Sequence, residues 1–167
     1  KFNQLKDAIS RSLDIDPNTL MYIGELVDIE EDEQSWQGAI ERALGGLKTT
    51  LLVPEEYYSL ITKWLNSQHT GLHVRVQVVL DNHDTNSHNE FKAEGFLRKL
   101  KWRTHPYCDW LKAFLSRYDL LCVANTEQLD RTTFSMTQQG LIHKHKGHFD
   151  KKDLQSIDDR RHWQLGF

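Results

Sequence analysis

Trp36-Gln-Gly-Ala-Ile-Glu-Arg-Ala-Leu-Gly-Gly-Leu-Lys-Thr-Thr-Leu-Leu-Val53 is the stretch on which the reading of the fold turns. Trp36, Ile40 and Leu44 recur at i, i+4 and i+8 with Ala39 and Ala43 beside them, which places them along one helical face. Gly45-Gly46 then supplies the left-handed backbone that ends such a helix. Thr49–Val53 is β-branched and apolar, the composition of a buried strand. A helix running through two glycines into a buried strand predicts a mixed α and β fold.

Working outward, Phe2, Leu5, Ile9 and Ser12/Leu13 form a stripe at helical spacing that Asp16-Pro17-Asn18 terminates. Tyr22–Val27 reads as a short strand, and Glu30–Glu33 as an acidic loop. Downstream, Pro54-Glu55-Glu56 is expected to open a helix with Tyr57, Leu60, Ile61, Trp64 and Leu65 on its core face. After Gly71, His73–Val78 alternates as a half-buried strand does. Nine polar residues, Asp81–Asn89, mark a linker. Beyond it the theme returns: a helix with Trp110, Leu111, Phe114 and Leu115, a strand over Leu120–Val123, and a short capped helix at Thr126–Leu129. A β-type stretch follows from Phe134 through Gly140 to Phe149. Asp158–His162 is expected to begin a return into a helical arm. The predicted class is α+β, with two small α/β lobes. Residues 1–15 are expected to end a coiled-coil arm, 16–80 to form the first lobe, 81–95 a linker, 96–155 the second lobe, and 156–167 the return.

Among 167 residues, 38% are hydrophobic and 17 are aromatic (five Trp, five Tyr, seven Phe), enough to build a core and to exclude wholesale disorder. No apolar run approaches the roughly 20 residues of a membrane span, and no secretion signal opens the chain. The chain starts at Lys1 and reads as a piece of a longer protein. Cys108 and Cys122 are too few for a disulfide framework, which points to a cytoplasmic setting. The formal net charge of -3 conceals an asymmetry: residues 1–60 hold five Lys/Arg against twelve Asp/Glu, and residues 61–167 hold sixteen against twelve.

No phosphate-binding loop, nucleophile elbow or His-Glu-x-x-His helix is present, and no carboxylates are spaced to converge on a metal. The sequence therefore predicts no catalytic residues, no cofactor and no enzymatic activity for this stretch. His143, His145 and His148 are the one alternative metal set, belonging to a nuclease or nucleic-acid-processing reading, and interleaved lysines oppose it. His83 and His88 in the linker are weaker still. A further alternative, a DNA-binding module, would use Arg98, Lys99, Lys101 and Arg103 around Trp102, together with Lys144, Lys146, Lys151 and Lys152.

Ala39-Ile40-Glu41, Leu44-Gly45-Gly46 and Thr50–Val53, preceded by Ile23–Asp28 and followed by Gly71 before a strand, resemble the hinge domain of SMC proteins. Tyr118–Val123 is similar to the core strand of its second half, and Ser135–Gly140 to its Thr-x-x-Gly turn. More narrowly, Trp36–Gly46, Val53-Pro54-Glu55, Phe96–Leu100 and Asp158–Phe167 resemble the MukB-like SMC subunit of Wadjet plasmid-defence complexes. Where SMC hinges usually carry a second Gly-Gly, this chain has only Gly147 before His148-Phe149.

The resemblance implies a non-catalytic homodimerisation module at the apex of an antiparallel coiled coil, in a condensin-type ATPase that extrudes DNA loops. Its partners would be a second copy, kleisin and accessory subunits, a nuclease and DNA, all on a bacterial nucleoid or plasmid. On that reading the dimer edges are assigned to Gly71, His73, Val74, Val76 and Val78 in the first lobe. In the second they are assigned to Gly140, Leu141, Ile142, Gly147 and Phe149.

Overall fold

Asp14 ends the first helix, α1 (Phe2–Leu13), by adopting the left-handed conformation at φ 54°. This computed structural model describes residues 1–80 and 91–167; His83, His88 and most of the expected linker lie outside the described residues. The strand expected over Tyr22–Val27 is divided in two, β1 (Met21–Tyr22) and β2 (Val27–Ile29), by a 3-10 turn at Ile23–Glu25. The reason is local. Glu25 turns back to accept from the Tyr22 N–H at 2.9 Å and pairs with Lys6 at 2.7 Å, which closes the turn.

The deciding stretch folds as its periodicity requires. α2 (Gln37–Leu44) ends at Gly45, where φ is +52°, and a 3-10 turn leads into β3 (Thr50–Pro54). Pro54 closes this strand instead of opening a helix. α3 (Tyr58–Ser67) starts only after the Tyr57 N–H has bonded back to the Pro54 carbonyl at 3.0 Å. Its rotation buries Ile61 and leaves Leu60, expected in the core, half-exposed. β4 (Arg75–Val79) runs parallel to β3 with Leu51 opposite Val76, and the first sheet has the order β1-β3-β4.

β5 (Leu100–Trp102), from beyond the linker, pairs antiparallel with β2, Val27 lying opposite Trp102. α4 (Cys108–Leu115), β6 (Leu121–Cys122), α5 (Thr126–Arg131), β7 (Ser135–Met136), β8 (Ile142–His145) and β9 (His148–Asp150) follow. The last four strands form one sheet in sequence order, parallel only between β6 and β7. Asn125 caps α5 through the Gln128 N–H at 2.9 Å.

Two apolar clusters hold these elements. The larger joins both halves of the chain: Ile23, Val27, Ile40 and Leu44 meet Phe96, Leu97, Leu111, Leu115 and Met136. Tyr107, at the foot of α4, adds a hydrogen bond to the Thr19 carbonyl at 2.6 Å. The smaller packs the α1 stripe, Leu5 and Ile9, onto Tyr22, Leu51, Val53 and Ile61. Burial of each such Leu, Ile or Phe contributes roughly 2 kcal/mol. α1 thus docks on the domain through the face its spacing marks as apolar. The expected return helix at Asp158–His162 is a single 3-10 turn, Arg160–His162, within an otherwise extended segment.

Candidate dimer interface

A sheet edge whose amides find no neighbour is the feature most able to recruit another chain. β4 is one such edge, since β3 is its only strand partner among the described residues. Val74, Val76 and Val78 lie half-buried over the smaller cluster, while Val79 at the end of the strand enters the larger. Gly71, just before it, has φ +71° and open space around its α-carbon.

In the second sheet the outer side of β6 is already taken: the Cys122 N–H bonds the Glu94 carbonyl at 2.7 Å, and the Phe96 N–H bonds the Leu120 carbonyl at 3.0 Å. β8 is internal, because Ile142 pairs with Met136 on one side and Asp150 on the other. The open edge is therefore β9 and not the whole of Leu141–Phe149. Ile142 is placed inside the sheet, Leu141 just ahead of β8 accepts from the Thr137 N–H at 3.0 Å, Gly147 forms the β8–β9 turn at φ +81°, and Phe149 is 43% exposed on the edge itself. Gly140 is buried against Arg42 and Ile157. The Phe149 ring stacks on His143 with centroids 4.4 Å apart.

The histidines do not form one site. His143 is buried with Nδ1 2.7 Å from the Leu129 carbonyl, whereas His145 and His148 are exposed and stack on each other. A register shift between His143 and His145 defeats the shared face that a regular strand would give them. Among the described residues no three His, Cys, Asp or Glu side chains are grouped to hold a metal ion. Neither thiol is poised as a nucleophile: burial pushes Cys122 up to about 12 and raises Cys108 as well.

The basic residues divide in the same way. Arg98 is held by the carbonyls of Phe91 and Lys92, and Lys99 pairs with Glu33 beneath the face of Trp36. Lys101 is half-buried and Arg103 exposed; Lys144, Lys146, Lys151 and Lys152 are all exposed on and after the β8–β9 hairpin.

Sequence reasoning missed the residue that organises the chain's exit. Glu41 sits on α2 with only 2% of its surface exposed, and accepts from the backbone N–H groups of Gln164 and Leu165 at 2.9 and 3.0 Å. Lys48 Nζ balances its charge at 3.0 Å. Residues 157–166 thereby become a strap across α2. The strap runs so close that a methyl group on Gly38 would lie 2.2 Å from the Ile157 carbonyl oxygen, and one on Gly24 2.7 Å from that of Gln164. The available signal was Gln37 and Glu41, polar at i and i+4 yet beside the apolar stripe. At its far end the strap's Gly166 N–H bonds the Gly24 carbonyl at 3.0 Å, while at the start of the chain the Phe2 ring lies 5.5 Å from that of Tyr22. Both ends of the chain converge on one turn.

The result is a mixed α/β module that, among the described residues, leaves β4 and β9 as sheet edges and brings its two ends to one turn, and its fold is like that of an SMC hinge domain. No known family profile and no curated protein matches the chain. Among solved structures, the folded elbow of cohesin is similar over 96% of this chain and 24% of its own, with a TM-score of 0.69 and 18% identity. The Pyrococcus furiosus Smc hinge domain with an extended coiled coil is similar over 95% of this chain and 60% of its own, with a TM-score of 0.57 and 14% identity. The chain thus spans a quarter of one of these structures and three-fifths of the other, and the likeness is one of fold. No helix among the described residues is long and apolar enough to cross a membrane.

Proposed function

We propose that this chain is a non-catalytic homodimerisation module, the hinge of an SMC-type protein. The observation that carries the reading is the convergence of the two ends on the Tyr22–Glu25 turn, within a hinge-like fold. An antiparallel coiled coil that leaves a domain and rejoins it needs its two strands side by side. In this reading residues 16–80 and 96–155 are the two hinge halves, and α1 and the strap, both docked on the domain, are where the arms attach. In a two-fold dimer β4 of one copy meets β9 of the other, and every contact occurs twice.

The finer reading is a MukB-like SMC subunit of a bacterial Wadjet plasmid-defence complex, working in the cytoplasm with kleisin, accessory and nuclease partners. It is supported by the likeness of Trp36–Gly46 and Asp158–Phe167. ATP hydrolysis and loop extrusion then belong to parts of the assembly outside this module. Weak, salt-sensitive DNA contact falls to Lys144, Lys146, Lys151 and Lys152, each phosphate contact adding about one unit to the salt slope. Replacing all four by Glu should abolish it in a filter-binding titration; unchanged affinity removes the hairpin lysines from the reading.

The test of the module is its mass in solution. A dimer of ordinary interface size should persist at roughly 10 μM. Phe149→Glu, which sets a charge on the β9 edge, should convert it to a folded monomer. A wild-type chain that is folded and monomeric by light scattering at that concentration overturns the reading.

A further inference from the structure

Gly45 and Gly46 do more than end a helix, because two cations lie over them. The Arg75 guanidinium covers Gly46 so closely that a methyl group there would be 2.5 Å from Cζ, and Lys152 Nζ lies 3.6 Å from the corresponding point on Gly45. Lys144, from β8, lines the same cleft. Among the described residues no carboxylate comes within ion-pair distance of these three, and Arg75 reaches only the His73 ring at 3.4 Å. Arg42, at the rim, is already engaged by Asp153 at 2.9 Å and the Gln155 carbonyl at 2.6 Å. Asp150, on β9, also lines the cleft but pairs with none of them, so three cations outnumber one carboxylate there, and an anion between them relieves their repulsion. The chain as a whole carries -3, so this is a local concentration of positive charge and not a general one.

The walls of the cleft are of another kind. Tyr118 and Phe134 line it with apolar side chains, and its volume of about 370 Å³ falls in the range of small-ligand sites. Phe134 holds φ at +60°, a conformation bulky residues rarely adopt. It is kept there by its N–H to the His143 carbonyl at 2.8 Å and its carbonyl from the Leu121 N–H at 2.9 Å. Strain of this sort persists where the surrounding structure over-determines it, and such residues cluster at ligand sites.

We propose that this cleft, between the Gly45-Gly46 turn and the β8–β9 hairpin, binds a phosphate monoester carried on a planar body of nucleotide size. A phosphate monoester brings close to two negative charges and three terminal oxygens to three cations, where a carboxylate brings one charge. The aromatic walls take the planar body. The phosphate could come from a free nucleotide or from the 5′ end of a strand.

The test is calorimetric titration of the chain with adenosine monophosphate, alongside adenosine and inorganic phosphate. Saturable binding of the monophosphate at millimolar concentration or below, stronger than for either fragment, is expected. Lys152→Gln and Arg75→Gln should each weaken it about tenfold, while Lys63→Gln, exposed on α3 and outside the cleft, leaves it unchanged. Melting temperatures of the variants check that each is folded. Competition by a 5′-phosphorylated oligonucleotide and not by its 5′-hydroxyl form assigns the phosphate to strand ends; no competition assigns it to the free nucleotide. A folded wild-type chain that fails to bind the monophosphate, or folded Lys152→Gln and Arg75→Gln variants that bind like wild type, overturns the proposal. The mass of the same samples separates the two readings: a dimer without binding sinks only the cleft, and a monomer that binds sinks only the hinge.

Discussion

Glu41 and Asp119 are the same device put to two uses. Each carboxylate is almost wholly buried, at 2% and 1% exposure, and each accepts from two backbone N–H groups. Glu41 does so from the strap, which lies on the outside of α2 and is mostly exposed, and it has Lys48 as counter-ion. Asp119 does so from Lys92 at 2.9 Å and Leu97 at 3.0 Å, with no cation in ion-pair distance among the described residues. The loop it holds delivers Phe96 and Leu97, both fully buried, into the larger core. Gly95 is required there, since a methyl group would fall 2.3 Å from the Asp119 carboxylate. Buried acceptors of this kind matter in proportion to what the donors' segment contributes. One fastens a peripheral strap; the other builds the core.

The largest effect that follows is on Asp119→Ala. It leaves two N–H groups without their charged acceptor and loosens a core loop, at a cost of roughly 3–4 kcal/mol, read from urea unfolding. A loss below about 1 kcal/mol would mean that apolar packing alone holds the loop. Glu41→Ala should cost less, roughly 1–2 kcal/mol, because the freed amides can reach water. Its signature is local: hydrogen exchange at Gln164 and Leu165 should accelerate while the amides of β3 keep their protection. Gly38→Ala should mimic it by pushing the strap away. Equal global losses at Glu41 and Asp119 would break the comparison.

Smaller effects sharpen it. Cys122 lies beside the Asp119 loop, its thiol held up by burial from an ordinary 9.0 to about 12. The stabilisation tied to its neutral form is complete below pH 9 and lost as pH rises through about 12. Alkylation at pH 8.5 should therefore be slow in the native chain and accelerate in Asp119→Ala, with mass spectrometry as the measure. The smallest effect is on the strap. The Arg161 guanidinium beside Asp159 holds its carboxyl at about 2, below the ordinary 3.8. That contribution is present above pH 3.8 and lost as pH falls through about 2, so the Arg161 amide shift should titrate with a midpoint near 2. A midpoint near 3.8 would mean that the pair does not persist in solution.

Much of this architecture is written in short-range pattern. The α1 stripe, α2 with its glycine stop, the apolar β3, the alternating β4 and the Asn125-capped α5 each depend on residues within a few positions of one another. Backbone propensity, capping and amphipathic spacing act over that range. Even there, nearby contacts overrode pattern where Glu25 folded back to split a strand and Pro54 ended one. What tertiary structure alone decided is who neighbours whom. β2 and β5 are three residues each and far apart in sequence, so nothing local says that they pair across the linker. Phe134–Phe149 reads as one β-type stretch, and only the placement of β7 made β8 internal and left β9 as the edge. Glu41 looks like any helix-surface carboxylate until residues 157–166 arrive over Gly38 and Gly24. Arg75 and Lys152 meet over Gly45-Gly46 for the same reason: charge and burial at a site depend on chain segments that only folding brings together.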